Sequence, residues 1–197
     1  MNKISAVQAD IQKLREELAA SFRWFARLNM HEGVANHFSV ATSPDGREFL
    51  MNPKMIHFSR VRASDLLHLD AEDDSALKRP DAPDPTAWYI HARMHRLLPH
   101  ARCVMHLHPK HATALASLAD STMLPIDQNT MRFYNRVAVD DGYEGMALSE
   151  DEGDRLAGLL VRQGVEVGRA RAGFNACGRS YQAGDYVVNL AQPHRRM

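Results

Sequence analysis

Apolar residues at Ile11, Leu14, Leu18, Phe22 and Phe25 recur at helical spacing and predict an amphipathic helix from Val7 to Leu28. The pattern then shortens. Residues Asn36 to Ala41 and Glu48 to Met51 read as a strand pair across the turn Ser43-Pro44-Asp45-Gly46, and a further short strand is expected near Leu66 to Leu69. Residues Ala71 to Pro85 are acidic and proline-rich and read as an exposed connection. A helix follows from Thr86, its expected N-cap, to Leu98. The strand Ala101 to His106 comes next, then helices Pro109 to Leu118 and Ile126 to Tyr134, and a strand over Arg136 to Val139. Ser149 opens a helix to Leu160, with Glu152 completing a capping box. A strand at Val165 to Val167 and a helix from Ser180 to Ala191 are expected to finish the chain. Alternation of helices and strands without a long linker predicts one three-layer α/β domain over residues 1–197.

The segment Val104-Met105-His106-Leu107-His108-Pro109 carries the chemistry that stands out. His106 and His108, two apart at the end of an apolar strand, point to one side of it, the geometry for two imidazoles on one metal ion. Pro109 closes the strand. His91 and His95 lie four apart, on one face of the preceding helix, and are placed to approach the metal strand. His111, in the first turn after the motif, is placed to line the same cleft.

Composition narrows the function. Lys+Arg and Asp+Glu balance at 24 each, which removes the electrostatic footprint of a nucleic-acid or anionic-membrane partner. Two cysteines, Cys103 and Cys177, are too few for a disulfide framework and fit a reducing compartment. The first residues lack the apolar stretch of a signal peptide and no segment reaches membrane-spanning length, so a cytoplasmic location is expected.

Five motifs in order resemble the class II aldolase/adducin family. They are Met30 to Val40 (MHEGVANHFSV), Phe49 to Pro53, Ile90 to His95, Pro99 to His108, and the pair Leu124 to Gln128 with Tyr143 to Gly145. The last pair is similar to the adducin-like branch. The resemblance runs from about Leu14 to Leu160 and leaves residues 160–197 as a divergent tail. It implies a three-layer αβα domain with a central mixed or antiparallel sheet. It also implies a homotetramer or other homo-oligomer, with active sites at subunit contacts.

The activity implied is that of a divalent-metal-dependent lyase, of aldolase or decarboxylase type, that stabilises an enolate of a small carbonyl or carboxylate substrate. The alternative is a catalytically silent, adducin-like assembly or binding domain. Zinc is the expected metal, with iron or manganese as alternatives. His106 and His108 match the first two ligands. The third place falls in Arg171-Ala172-Gly173, where Ala172 has no lone pair to give, so weak binding is expected unless Asp140, Asp141 or Glu144 completes the set. Ala87 stands where family aldolases carry an acid–base carboxylate. Asn36 and Asn52 match polar positions that face substrate in family enzymes, with turn formation as the other reading. His91 matches a family histidine and is open between a role beside the metal or substrate and core packing.

Overall fold

The computed structural model describes residues 3–162 except 135, 141, 143 and 144, together with four short strands between 167 and 188. Helix α1 (Lys3–Arg27) is followed by strands β1 (His37–Ala41), β2 (Glu48–Met51) and β3 (Leu67–Asp70). Helix α2 (Pro85–Leu97), strand β4 (Cys103–His106) and helix α3 (Lys110–Ala116) come next. The four-residue helix α4 (Gln128–Met131) and helix α5 (Glu150–Arg162) follow. Strands β1 to β4 form one antiparallel sheet in the order β3-β2-β1-β4.

Strand alternation sorts the sheet's two faces. Phe38 and Leu50 point to one side, where they pack with Leu18, Ala19 and Phe22 of α1 and with Phe58 and Val61. Phe22 stacks on Phe38 at 4.7 Å between ring centres and meets Phe58 edge-on at the same distance. On the other side, Phe49, Met51, Leu67 and Leu69 pack under Ala87, Trp88 and Ala92 of α2. The two alanines bring the helix close to the sheet. Helix α5 lies on α2, where Arg93 holds Asp154 and Glu150 in ion pairs. The resulting order of layers, α1, sheet, then α2 with α5, is the expected αβα arrangement.

Several local expectations are corrected. The N-cap of α2 is Asp84 rather than Thr86: its carboxylate accepts from the backbone N–H groups of Thr86 and Ala87, and Pro85 takes the first helical turn. The 71–85 connection is better packed than its composition suggests. It folds a 3-10 turn over Asp74–Lys78 and buries Ala76, Ala82 and Pro83. The helix expected over 126–134 shrinks to α4, capped by Asp127. Residues 136–140 form no strand. Glu152 does not close a capping box; its carboxylate is taken by the Arg155 guanidinium at 2.6 and 2.8 Å.

The helix expected over 180–191 is overturned as well. Arg179–Tyr181 (β7) pairs with Phe174–Ala176 (β6), and Tyr186–Val188 (β8) pairs with Val167–Arg169 (β5). The aromatic and β-branched run Tyr-Val-Val suits a strand better than a helix.

Candidate metal centre

The α2-facing side of the sheet changes character across its width. Over β2 and β3 it is apolar; over β1 and β4 it is lined with imidazoles. His37 and Ser39 occupy alternate positions of β1 and so share that face, while Phe38 between them points to α1. The antiparallel register sets His106 of β4 directly across from His37. Helix α2 brings His91 and His95, one turn apart, down onto the same patch; both have no exposed surface.

These groups form one continuous line of polar contacts at hydrogen-bonding distance. Glu32 Oε2 meets His108 Nδ1 at 2.8 Å, and His108 Nε2 faces His106 Nε2 at 3.1 Å. His106 Nδ1 lies 2.9 Å from His37 Nε2, and His37 Nδ1 lies 2.8 Å from His91 Nε2. His91 Nδ1 reaches Ser39 Oγ at 2.6 Å, and Ser39 Oγ reaches His95 Nε2 at 2.7 Å. The line ends where His95 Nδ1 donates to the Ala101 carbonyl at 3.1 Å. One end is buried and the other is open: the His108 side chain is 32% exposed and that of Glu32 73%.

Burial makes the interior imidazoles neutral. Desolvation, with the neighbouring His106 adding to it, pushes His37 down to about 3, and desolvation pushes His95 down to about 4. His91 falls well below the ordinary histidine value, through burial first and then through His37. His106 is lowered by burial and then by His108, while the charge of Asp84 opposes the shift at both His106 and His37.

The loop that carries Glu32 is braced from several sides. Asn36 Oδ1 accepts from the Glu32 backbone N–H at 2.6 Å, and Asn52 Oδ1 accepts from the Phe38 N–H at 3.1 Å. Asn52 Nδ2 returns to the Asn36 carbonyl at 3.4 Å. His31 stacks on Phe58 and meets His57 at 2.6 Å between Nε2 atoms. Asn29 and Gly33 turn the loop in the left-handed region, at φ 54° and 53°.

The structure therefore brings His106 and His108 together, with His91 behind them and the two asparagines supporting the loop. His111 stands apart on the exposed first turn of α3. Asp140 is bound by Arg155 at 2.6 and 2.7 Å and is not free to complete a ligand set. Ala172, Asp141 and Glu144 lie outside the described residues. Among the described residues, no group of three or more His, Cys, Asp or Glu side chains is gathered as a metal centre. Ligand spacing does not single out Glu32, His37 or Ser39. The only sequence trace of the β1 pair is its two-residue spacing, the same signal that exposed His106 and His108.

The family of class II aldolase and adducin N-terminal domains matches residues 16–183. This chain belongs to that family. It is 30% identical over 143 residues to the 4-hydroxy-3-prenylphenylpyruvate oxygenase/4-hydroxy-3-prenylbenzoate synthase of Streptomyces roseochromogenus subsp. oscitans, covering 72% of this chain and 51% of that protein. It is 29% identical over 143 residues to the decarboxylase NovR of Streptomyces niveus, covering 72% and 53%. The crystal structure of an aldolase II superfamily protein from Pseudomonas syringae superposes with a TM-score of 0.65 at 30% identity, covering 76% of this chain and 59% of that one. The chain spans about half the length of the curated relatives it matches.

Proposed function

We propose that this family member is a divalent-metal-dependent carbon–carbon lyase, of aldolase or decarboxylase type, acting on a small carbonyl or carboxylate substrate. The observation that carries the reading is the facing pair of Nε2 atoms on His106 and His108, each with its opposite ring nitrogen already anchored. Two imidazole ligands of one tetrahedral zinc ion stand about 3.3 Å apart for bonds of about 2.0–2.1 Å, and this pair stands at 3.1 Å. Neutral imidazoles backed by a carboxylate and a second imidazole are the donor chemistry that such an ion takes. The pair fits as two corners of a site. Zinc is the metal of choice, with iron or manganese able to use the same donors.

When bound there, the metal supplies a Lewis acid for negative charge developing on a substrate oxygen. The chain's own residues do the rest. Glu32 accepts the His108 Nδ1–H and fixes that ring; His37 does the same for His106. Asn36 and Asn52 hold the loop and the start of β1 in place, and act behind the imidazole pair. His111 is left as an exposed group for the substrate side.

Ala87 is fully buried in the apolar cluster under α2, so no proton passes through that position. We assign the acid–base role to Asp84, one turn earlier. Its three hydrogen bonds all fall on Oδ1, and its charge reaches His37 and His106.

The test of the metal reading is direct. Purified protein stripped with chelator and titrated with zinc against a chromophoric competitor should bind, and His106→Ala should weaken binding about a hundredfold or more. Equal affinity of the two proteins rejects the pair as ligands.

The same reading includes a homo-oligomer, with a homotetramer as its first form. Leu118, Leu124, Ile126, Met131, Met146 and Leu148 are each more than half exposed, an apolar segment that a second copy would cover. Sedimentation at micromolar concentration should show an assembly, and a strictly monomeric profile rejects it. No helix among the described residues is long and apolar enough to cross a membrane. With two cysteines and a balanced charge, we place the protein in the cytoplasm.

A further inference from the structure

The imidazole line has a proton count that decides its polarity. It contains seven links, from Glu32 to the Ala101 carbonyl, and each needs one proton. With one proton on each of the five imidazoles and one on the hydroxyl, the line supplies six. Both ends only accept, since one is a carboxylate and the other a carbonyl. One link must therefore be left with two facing lone pairs, unless a cation fills it.

The buried end locates that link. His95, neutral through burial, gives its one N–H to the Ala101 carbonyl, so its Nε2 must accept from Ser39. Ser39 then accepts from His91 Nδ1, His91 Nε2 accepts from His37, and His37 Nε2 accepts from His106 Nδ1. At the outer end His108 gives its Nδ1–H to Glu32. The missing proton falls between His106 Nε2 and His108 Nε2, at the half-exposed end where solvent or an ion can enter. Two lone pairs facing each other at 2.6–2.9 Å inside the protein would have nothing to relieve them.

We propose that Ser39 and His95, acting through His91 and His37, are positioning residues that hold His106 in its Nδ1–H form and keep its Nε2 lone pair open for the metal. This rests on the reading of His106 and His108 as the metal-holding pair. The buried line is a tautomer selector. Its terminal anchor, the Ala101 carbonyl, lies five residues before His106 on the segment that leads into β4, so the same stretch of chain carries both ends of the device.

Ser39→Ala reverses the polarity. Without the hydroxyl, four links remain between Glu32 and His91, and four imidazoles supply four protons. All four are satisfied when each ring donates toward Glu32, and His106 then carries its proton on Nε2, in the gap the metal needs. Zinc binding requires the rings to switch back and strands a buried His91 N–H without an acceptor. That weakens zinc by about tenfold to a hundredfold, the penalty of one unsatisfied buried donor at a factor of ten per 1.4 kcal/mol.

The experiment reads the imidazole nitrogens by nitrogen-15 NMR in metal-free protein at pH 7.5, beside zinc titration of the same samples. Wild type and Ser39→Thr, which keeps the hydroxyl, should show His106 protonated on Nδ1 and bind zinc alike. Ser39→Ala should show it protonated on Nε2 and bind zinc more weakly. Where Ser39→Ala does not fold, His95→Leu, which removes the anchored end, should give the same switch. A His106 that carries its proton on Nε2 in wild type, or that does not change in the variants, overturns the proposal. A switch of His106 in a protein whose wild type takes no zinc upholds the selector and rejects the metal reading alone.

Discussion

Acidification from pH 6.5 to 5 is expected to destabilise the metal-free protein by about 3 kcal/mol through His37 and His95 together, with buried His91 adding a loss of the same sign. In the folded state His37 is held down to about 3, His95 to about 4, and His91 well below the usual value, all chiefly by burial. In the unfolded chain each titrates near 6.5. Between those limits the unfolded state takes up protons that the folded state refuses. The stabilisation is thus fully present above pH 6.5 and is lost as pH falls, down to about 4 for His95 and about 3 for His37, with no further loss once the folded rings also protonate. A loss of this size is a large fraction of the stability of an ordinary domain. Urea midpoints followed by circular dichroism at pH 7.5, 6.5, 5.5 and 5, with chelator present, measure it. A flat profile between 6.5 and 5 would show that these rings are solvated and that the line is not formed.

Gly46→Ala should cost about 3 kcal/mol or more and should disturb the imidazole line as well as the fold. Gly46 adopts φ +74° in the turn between β1 and β2. Its backbone is pressed against the carbonyl of His95: a Cβ there would overlap the carbonyl oxygen and lie 2.7 Å from the carbonyl carbon. The left-handed conformation accounts for about 1–2 kcal/mol of the loss and overpacking against rigid helix backbone for a further 1–3. Gly33→Ala separates the two effects. Gly33 also has positive φ, at 53°, but a Cβ there meets nothing within 4 Å, so only the conformational part applies. Thermal melts of both variants decide the matter. Equal losses would show that His95 yields to the intruding methyl group and that the turn does not set the position of α2.

The family relatives give the polar patch a context without defining its chemistry. The two curated relatives named above are an oxygenase/synthase and a decarboxylase. In this chain the imidazole pair sits at the open end of a line whose buried end is closed by backbone. The two ends have different tasks: the outer one presents lone pairs, and the inner one decides which nitrogen presents them. A buried polar network of this kind is costly if any member is unpaired, which is why a single hydroxyl, Ser39, has leverage over a ring three links away.

Local pattern determined a good deal of this protein. The stripe from Ile11 to Phe25 is α1, alternation around Phe38 and Phe49 is β1 and β2, and the spacing of His106 and His108 put both imidazoles on one side of the chain before any contact was known. These are consequences of the 3.6 and 2.0 periods, which act over a few residues and need no partner. Tertiary structure decided the rest. Only the antiparallel register of β1 with β4 sets His37 opposite His106, across 69 residues of chain. Only the docking of α2 on the sheet brings His91 and His95 onto Ser39. The tail beyond Gly164 went the same way: Arg179–Tyr181 and Tyr186–Val188 are strands because their ladders to 174–176 and 167–169 supply backbone partners that a helix pattern does not foresee. Which nitrogen of His106 bears the proton is the furthest of these decisions. It depends on a carbonyl at the far end of the line, and hydrogen-bond polarity passes between residues that are neighbours only in the folded chain.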